Sequence, residues 1–154
     1  MADDTTNQTT DTCSHNCGSC SASCGERTAP SKLAPNSVSS FKKVIGVVSG
    51  KGGVGKTSVT CLLASELMRA GKKVGIMDAD VTGPSIPKAF GAKGPLCADQ
   101  NGMNPGIGAE GVEIISTNLL LPQDDMPVAW RGPVVTGILT QFFNQVNWGD
   151  LDYL

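Results

Sequence analysis

The chain has 154 residues and a net charge of −2. Its length favours one domain, and the lack of a strongly basic run argues against a dedicated nucleic-acid surface. No stretch approaches the ~18 consecutive apolar residues that indicate a membrane span. Residues 1–6 are polar and acidic and lack the apolar core of a secretory signal, so we expect a cytoplasmic protein.

Residues 1–40 and 41–154 differ in composition. The first stretch is rich in Thr, Ser, Asn, Asp and Cys and holds almost no aliphatic residues. Because such a segment has too little apolar surface to bury a core, we expect a flexible tail and linker over 1–40. The globular part is expected over 41–154.

Four cysteines lie close together in this tail, at Cys13, Cys17, Cys20 and Cys24. Cysteines in a reducing compartment rarely form disulfides, so the group predicts a metal site. Four thiolates suit either a [4Fe–4S] cluster or tetrahedral Zn²⁺, and the spacing does not separate the two; free thiols are the third possibility. His15 lies inside the segment, but four cysteines already complete a site.

The first predicted element of the domain is a strand over 44–49. Its nearly continuous apolar sequence is typical of a parallel strand buried on both faces. It leads into Gly-Lys-Gly-Gly-Val-Gly-Lys-Thr at 50–57, a complete phosphate-binding loop. A helix with apolar residues at helical spacing follows and is expected to end at Gly71, a good C-terminal cap. This strand–loop–helix context predicts nucleotide binding.

The residues of the loop have distinct predicted roles. Its glycines let the backbone curl around a phosphate, and the N–H groups of the loop and of the first helical turn point at the anion. Lys56 is expected to reach the β- and γ-phosphates of ATP, and Thr57 to offer its hydroxyl to Mg²⁺. The predicted nucleotide-binding residues are Gly50, Lys51, Gly52, Gly53, Val54, Gly55, Lys56, Thr57 and Ser58.

Two carboxylates, Asp78 and Asp80, follow the second predicted strand, 73–78. Ligands bind outside the carboxyl ends of parallel strands, so both side chains are expected on the γ-phosphate side. We predict that Asp80 orients the attacking water, and that Asp78 lies in the Mg²⁺ shell or is structural. The alternative for Asp80 is a turn cap. Residues 82–85 are a candidate switch that orders around the γ-phosphate.

The later part of the chain continues the alternation of strand and helix. The predicted elements are a short helix over 84–90, a Gly-, Pro- and Asn-rich loop over 91–110, a strand over 111–117, an amphipathic helix over 132–146 and the start of a strand at 152–154. The alternation predicts an α/β fold with a parallel sheet and helices on both faces. Cys61 is predicted to lie in the core, and Arg131 is a candidate contact for nucleotide, a partner subunit or a carboxylate.

Lys51 stands in the loop where an ordinary phosphate loop needs no lysine. The resulting Lys-Gly-Gly-x-Gly-Lys-Thr sequence resembles the deviant Walker A group, which includes the MinD/ParA partition ATPases, the nitrogenase iron protein and the Mrp/ApbC-type ATPases. With Asp-Ala-Asp-Val-Thr-Gly-Pro-Ser-Ile-Pro at 78–87, Trp-Arg-Gly-Pro at 130–133 and Trp-Gly-Asp-Leu-Asp-Tyr-Leu at 148–154, residues 41–154 resemble the Mrp/ApbC-type iron–sulfur carriers in particular. The tail is similar to the cysteine-bearing extension of some members.

The resemblance implies an ATP-binding and weakly ATP-hydrolysing carrier that assembles Fe–S clusters or transfers them to apo-proteins. It implies a homodimer in which Lys51 crosses the interface to the partner's nucleotide and neutralises transition-state charge, as an arginine finger does. Lys51 and Asp80 are then the catalytic residues. The implied cofactors are ATP, Mg²⁺ and a [4Fe–4S] cluster.

Members of this family continue beyond the matching part, into a strand ending in a Walker B-type Asp and later a Cys-x-x-Cys. We therefore expect the 154 residues to be the N-terminal portion of an ATPase domain. The alternatives are a MinD/ParA-type switch acting on membrane or DNA, a redox protein like the nitrogenase iron protein, and a truncated zinc-binding chain without enzymatic activity.

Overall fold

The computed structural model of the chain describes residues 33–81, 83–120 and 132–154. Leu33–Leu154 form one compact unit. The elements described are, in chain order, β1 (Ser40–Lys43), α1 (Lys56–Arg69), β2 (Gly75–Met77), α2 (Ile86–Phe90), β3 (Ala98–Asp99), β4 (Gly102–Met103), β5 (Gly106–Ile107), β6 (Glu113–Ile115), α3 (Gly132–Asn144) and β7 (Asp150–Tyr153).

Three predictions lie outside the described residues: the tail with its four cysteines, Thr82 of the candidate switch, and Arg131. The predicted division at residue 40 stays a prediction.

Parallel strand pairs form the centre of this unit. β2 pairs with β6 in parallel, with Ile76 opposite Ile114, and β1 pairs in parallel with β7. A parallel bridge between Val74 and Tyr153 joins the two pairs, so β7 lies between β1 and β2. The predicted α/β fold with a parallel sheet is confirmed.

β6 is buried on both of its faces. Ile114 packs in a cluster with Ala64 of α1 and Phe90 of α2. Its neighbour Ile115 packs in a second cluster with Phe142 of α3. Because successive side chains of a strand point to opposite faces, helices cover both faces of the sheet, as predicted.

The ends of α1 follow from local backbone chemistry. The helix begins after Gly55, which adopts a left-handed conformation with φ of 89°. Its last residue is Arg69, and Gly71, whose φ is 72°, terminates it after Ala70; the Lys72 N–H donates to the Leu67 carbonyl over 3.0 Å and closes the last turn. The predicted helix and its glycine cap are confirmed.

The prediction of a buried strand over 44–49 is wrong. The first strand is β1, which precedes this segment, and residues 44–49 carry no strand. Val48 is 87% exposed and Val44 is 61% exposed. Within the described residues, the last backbone hydrogen bond between this segment and β7 joins the Ile45 N–H to the Leu154 carbonyl, and residues 46–49 have no strand partner there.

The prediction of a loop over 91–110 is also wrong in its second half. β3 and β4 form a short antiparallel hairpin, and β5 adds an antiparallel edge to β6. The Asn101 N–H donates to the Asp99 carboxylate over 2.7 Å across the hairpin turn. Side chains of Asn and Asp that bond to nearby backbone are typical of turns, so the composition indicated the turn but not the two-residue strands beside it.

The remaining predicted elements are present with shorter or shifted bounds. α2 begins at Ile86 rather than residue 84, with Pro87 in the first turn, where a helix does not need the missing N–H. The predicted strands 73–78 and 111–117 shorten to β2 and β6. Within the described residues, no helix is long and apolar enough to cross a membrane.

Candidate nucleotide site

The phosphate loop connects the 44–49 segment to α1. Gly53 and Gly55 have φ values of 71° and 89°, in the left-handed region that favours glycine. Among the described residues, no heavy atom beyond the immediate chain neighbours lies within 4 Å of the point where a Cβ would stand on Gly50, Gly52, Gly53 or Gly55. The loop backbone is therefore open to a ligand, as a phosphate cradle must be.

Two lysines meet in this loop. The Lys56 ammonium donates to the Lys51 carbonyl over 3.3 Å, and the Lys51 N–H donates to the Ser49 hydroxyl over 3.2 Å. Lys56 therefore stands over the loop at the first turn of α1, where the helix N-terminus adds partial positive charge. The exposed Lys51 has room to reach outward, and its role across a dimer interface stays a prediction.

Thr57 joins the loop to the candidate switch. The Ser85 hydroxyl donates to the Thr57 hydroxyl over 3.3 Å, a contact between the first turn of α1 and the residue that precedes α2. A ligand that engages the Thr57 hydroxyl therefore competes for, or reorients, the hydrogen bond of Ser85. This contact gives the predicted switch a physical connection to the loop.

Asp78 is 4% exposed at the carboxyl end of β2. Its carboxylate accepts hydrogen bonds from the Asp80 N–H over 3.1 Å and from the Ser116 hydroxyl over 3.5 Å. Burial raises the pKa of Asp78, hydrogen bonds from the backbone of Asp80 and Ile86 and from Ser116 oppose that rise, and the nearby Asp80 charge adds to it. Asp78 is thus held in place by its neighbours at the end of β2, and its predicted role, structural or in the Mg²⁺ shell, stays a prediction.

Asp80 is exposed beside it. Its carboxylate accepts a hydrogen bond from the Gly83 N–H over 3.2 Å, which is the turn-capping geometry predicted as the alternative to a catalytic role. The turn places the carboxylate at the same cavity that Lys56 and Thr57 line. Its predicted task of orienting water stays a prediction.

The side chains at this cavity fit a bound Mg²⁺. The Thr57 hydroxyl and the carboxylates of Asp78 and Asp80 are the hard oxygen donors that Mg²⁺ prefers, and they line one cavity with Lys56. Among the described residues there is no group of three or more His, Cys, Asp or Glu side chains placed to hold a metal ion.

Residues 40–154 match the family model described as ParA, NUBPL iron-transfer P-loop NTPase. The chain belongs to this family. The predicted resemblance to the Mrp/ApbC-type carriers is thereby confirmed.

Relatives support the same grouping. An "iron-sulfur cluster carrier protein" of Saccharolobus solfataricus is 51% identical over 118 residues, which cover 76% of this chain and 40% of the relative. The human "cytosolic Fe-S cluster assembly factor NUBP2" is 42% identical over 123 residues, covering 78% of this chain and 45% of the relative. The chain spans less than half the length of these relatives.

A solved structure of a family relative has the same fold. The nucleotide-binding protein from Archaeoglobus fulgidus, in complex with ADP and with cobalt found, is 40% identical, with a TM-score of 0.64 over 74% of this chain and 43% of that one. The matched part of this family member therefore has the same fold as a protein described as nucleotide-binding.

Sequence reasoning missed one residue of the site. Ser116 is fully buried and bonds to Asp78 from the end of β6. It immediately follows a strand, and the rule that ligands lie outside the carboxyl ends of strands marks such a position as a candidate. Cys61 lies half-buried against the core, as predicted, and burial raises its thiol pKa; Cys97, which had no predicted role, is exposed.

Proposed function

We propose that this chain is the nucleotide-binding part of an ATP-binding, weakly ATP-hydrolysing carrier that delivers iron–sulfur clusters to apo-proteins. The observation that carries the proposal is the open glycine loop with Lys56 and Thr57 beside Asp78 and Asp80, in a chain of the iron-transfer P-loop family. Relatives named for iron–sulfur carriage and cytosolic assembly support the cargo and a cytoplasmic location.

Each site residue has a role in this proposal. Residues 50–58 bind the phosphates, Lys56 neutralises the β- and γ-phosphates, and Thr57 with Asp78 holds Mg²⁺, which offsets the charge that develops on the phosphates. Asp80 orients the attacking water. Lys51 acts on the nucleotide of the partner in a homodimer.

The cluster is cargo rather than a resident cofactor. Cys13, Cys17, Cys20 and Cys24 hold a [4Fe–4S] cluster through four thiolates, and Zn²⁺ is the competing ion for the same ligand set. Nucleotide state sets the dimer geometry and so the release of the cluster to an apo-protein client.

Nucleotide binding is tested by calorimetry with ATP and Mg²⁺. The variant Lys56→Ala removes the ammonium that stands over the loop, so we expect ATP binding to be lost. The matched control is Lys93→Ala, which removes an exposed lysine outside the loop and should bind like the unmodified chain. Equal affinity of Lys56→Ala and Lys93→Ala would overturn the nucleotide assignment.

Cluster carriage is tested on anaerobically purified protein by iron, sulfide and zinc analysis with a visible spectrum. We expect iron and sulfide at about four per site and absorbance at ~400 nm, all lost in the variant Cys17→Ala/Cys20→Ala. The control Cys97→Ala removes an exposed cysteine away from the tail sequence and should retain the cluster. Zinc without sulfide would contradict the cluster assignment, and transfer to an apo-ferredoxin tests the carrier role directly.

A further inference from the structure

The turn between β2 and α2 is attached to the sheet at both of its ends. The Asp78 carboxylate accepts a hydrogen bond from the Asp80 N–H over 3.1 Å where the turn starts, and another from the Ile86 N–H where α2 begins. Ile86 is buried and packs in the same core cluster as Ala64 of α1. The backbone of Ser85, which immediately precedes Ile86, is therefore fixed relative to both β2 and α1.

Ser85 is the N-cap residue of α2, but its side chain forms no capping hydrogen bond. Serine is favoured at N-caps because its hydroxyl accepts a hydrogen bond from the N–H of the second or third helical residue. In α2 the second residue is Pro87, which has no N–H, and the N–H of the first residue, Ile86, already bonds to Asp78. A carboxylate at the end of β2 thus holds the start of the helix, and the Ser85 hydroxyl makes a different contact.

That contact joins the turn to the phosphate loop. The Ser85 hydroxyl donates to the hydroxyl of Thr57, in the first turn of α1, over 3.3 Å. Ser85 is exposed and Thr57 is half-buried. Because each hydroxyl has one proton and two lone pairs, either oxygen can accept from the other. The hydrogen bond can therefore reverse its direction without any movement of the backbone.

The direction of this bond depends on what the Thr57 oxygen binds. In the proposed function Thr57 offers a lone pair to Mg²⁺, and a bound cation makes the hydroxyl a weaker acceptor and a stronger donor. The Thr57 O–H then donates to the Ser85 oxygen, and the O–H of the exposed Ser85 can donate to water. Groups that orient a metal ligand in this way matter for affinity, since their removal typically weakens metal binding by about 10–100-fold.

We propose that Ser85 is a positioning residue for the Mg²⁺ site, whose hydroxyl orients the Thr57 hydroxyl toward the metal and accepts a hydrogen bond from it when the metal is bound. The inference rests on the proposed function, because it requires Mg²⁺ to bind with nucleotide at the phosphate loop. The competing explanation is a purely structural role for Ser85 at the start of α2. That explanation predicts a loss of stability without a change in Mg²⁺ dependence.

The test measures binding of the non-hydrolysable ATP analogue adenylyl imidodiphosphate to the full chain by calorimetry, once with Mg²⁺ and once with EDTA. The ratio of the two dissociation constants gives the Mg²⁺ dependence of binding. Ser85→Ala should reduce this ratio about tenfold or more and leave binding in EDTA unchanged, because the hydroxyl acts on the metal ligand. Ser85→Thr keeps a hydroxyl at this position and should restore the ratio.

Two further variants separate positioning from a general effect of removing a hydroxyl. Thr140→Ala removes an exposed hydroxyl that bonds within α3 to the Thr136 carbonyl, and it should leave the ratio unchanged. In a Thr57→Ala background, Ser85→Ala should have no further effect, because its action passes through Thr57. The thermal midpoint in EDTA should be the same for Ser85→Ala and the unmodified chain, since no capping bond is lost.

Three results would overturn the inference. The first is an unchanged ratio in Ser85→Ala. The second is an equal loss of affinity with Mg²⁺ and with EDTA, together with a lower thermal midpoint, because this shows that Ser85 supports the fold of the turn. The third is a further reduction of the ratio by Ser85→Ala in the Thr57→Ala background, which shows that Ser85 acts through another group.

Failure of this inference is distinct from failure of the proposed function. If the unmodified chain does not bind the analogue, the proposed function fails and the role of Ser85 fails with it. If the unmodified chain binds the analogue with Mg²⁺ and Ser85→Ala binds it equally well, the nucleotide assignment stands and the positioning role of Ser85 is wrong.

Discussion

Two apolar segments of this chain have opposite environments. β6 has neighbours on both edges, β2 and β5, and Ile114 and Ile115 are fully buried. The 44–49 segment is also largely apolar, yet Val48 is 87% exposed and the backbone of 46–48 has no partner among the described residues. The difference shows that an apolar run specifies a capacity for burial, while neighbouring strands decide whether the burial occurs.

The largest expected effect on stability comes from shortening a buried side chain of β6, the strand with neighbours on both edges. Ile114→Ala leaves a cavity in the first core cluster, so we expect a loss of about 2–5 kcal/mol in the free energy of unfolding. Val48→Ala on the open side should change it by less than about 0.5 kcal/mol. Urea denaturation measures both, and similar losses would show that Val48 is buried in solution.

A smaller difference in stability is expected between alanine substitutions at two glycines. A Cβ on Gly75 of β2 would lie 2.5 Å from the Leu151 side chain and 3.0 Å from the Trp148 ring. Because this overpacks the core, Gly75→Ala should lower the free energy of unfolding by about 1–3 kcal/mol. On Gly46 of the open segment the nearest atom to a Cβ is at 3.6 Å, an ordinary contact. Gly46→Ala should therefore shift the thermal midpoint far less than Gly75→Ala, and the opposite order would contradict the packing described for β2.

A pH dependence of stability is expected at Glu113, on the buried strand β6. Burial raises the pKa of Glu113 to about 7 from 4.5, against the opposing charge of Lys73, and its Oε2 has no hydrogen-bond partner among the described residues. The folded state therefore holds this proton more tightly than the unfolded state, and stability falls as pH rises from about 4.5 through about 7.

Glu113→Gln removes that titration. We expect the variant to gain stability relative to the unmodified chain between pH 5 and pH 8, as measured by urea denaturation across that range. Glu110→Gln, at an exposed position nearby, is the control and should keep the original pH profile. Parallel profiles for all three proteins would show that Glu113 does not titrate in this interval.

Much of the fold was predictable because its signals are local. α1 and its Gly71 cap, the parallel sheet and the helices on both faces follow from periodicity and from glycine chemistry. The errors share one cause, since the strand over 44–49 and the short strands within 91–110 depend on pairing partners. Local sequence indicates which secondary structure a segment favours, but it does not indicate which strand will lie beside that segment in the fold.

The sequence by itself determined the phosphate loop and the family, because the glycines, Lys56 and Thr57 are contiguous and act through local backbone geometry. Only the tertiary structure decided that Ser85 bonds to Thr57 and Ser116 to Asp78, contacts that span 28 and 38 residues. It also decided that β7 lies between β1 and β2. These features arise from the order of strands in the sheet, which long-range packing sets and no single segment encodes.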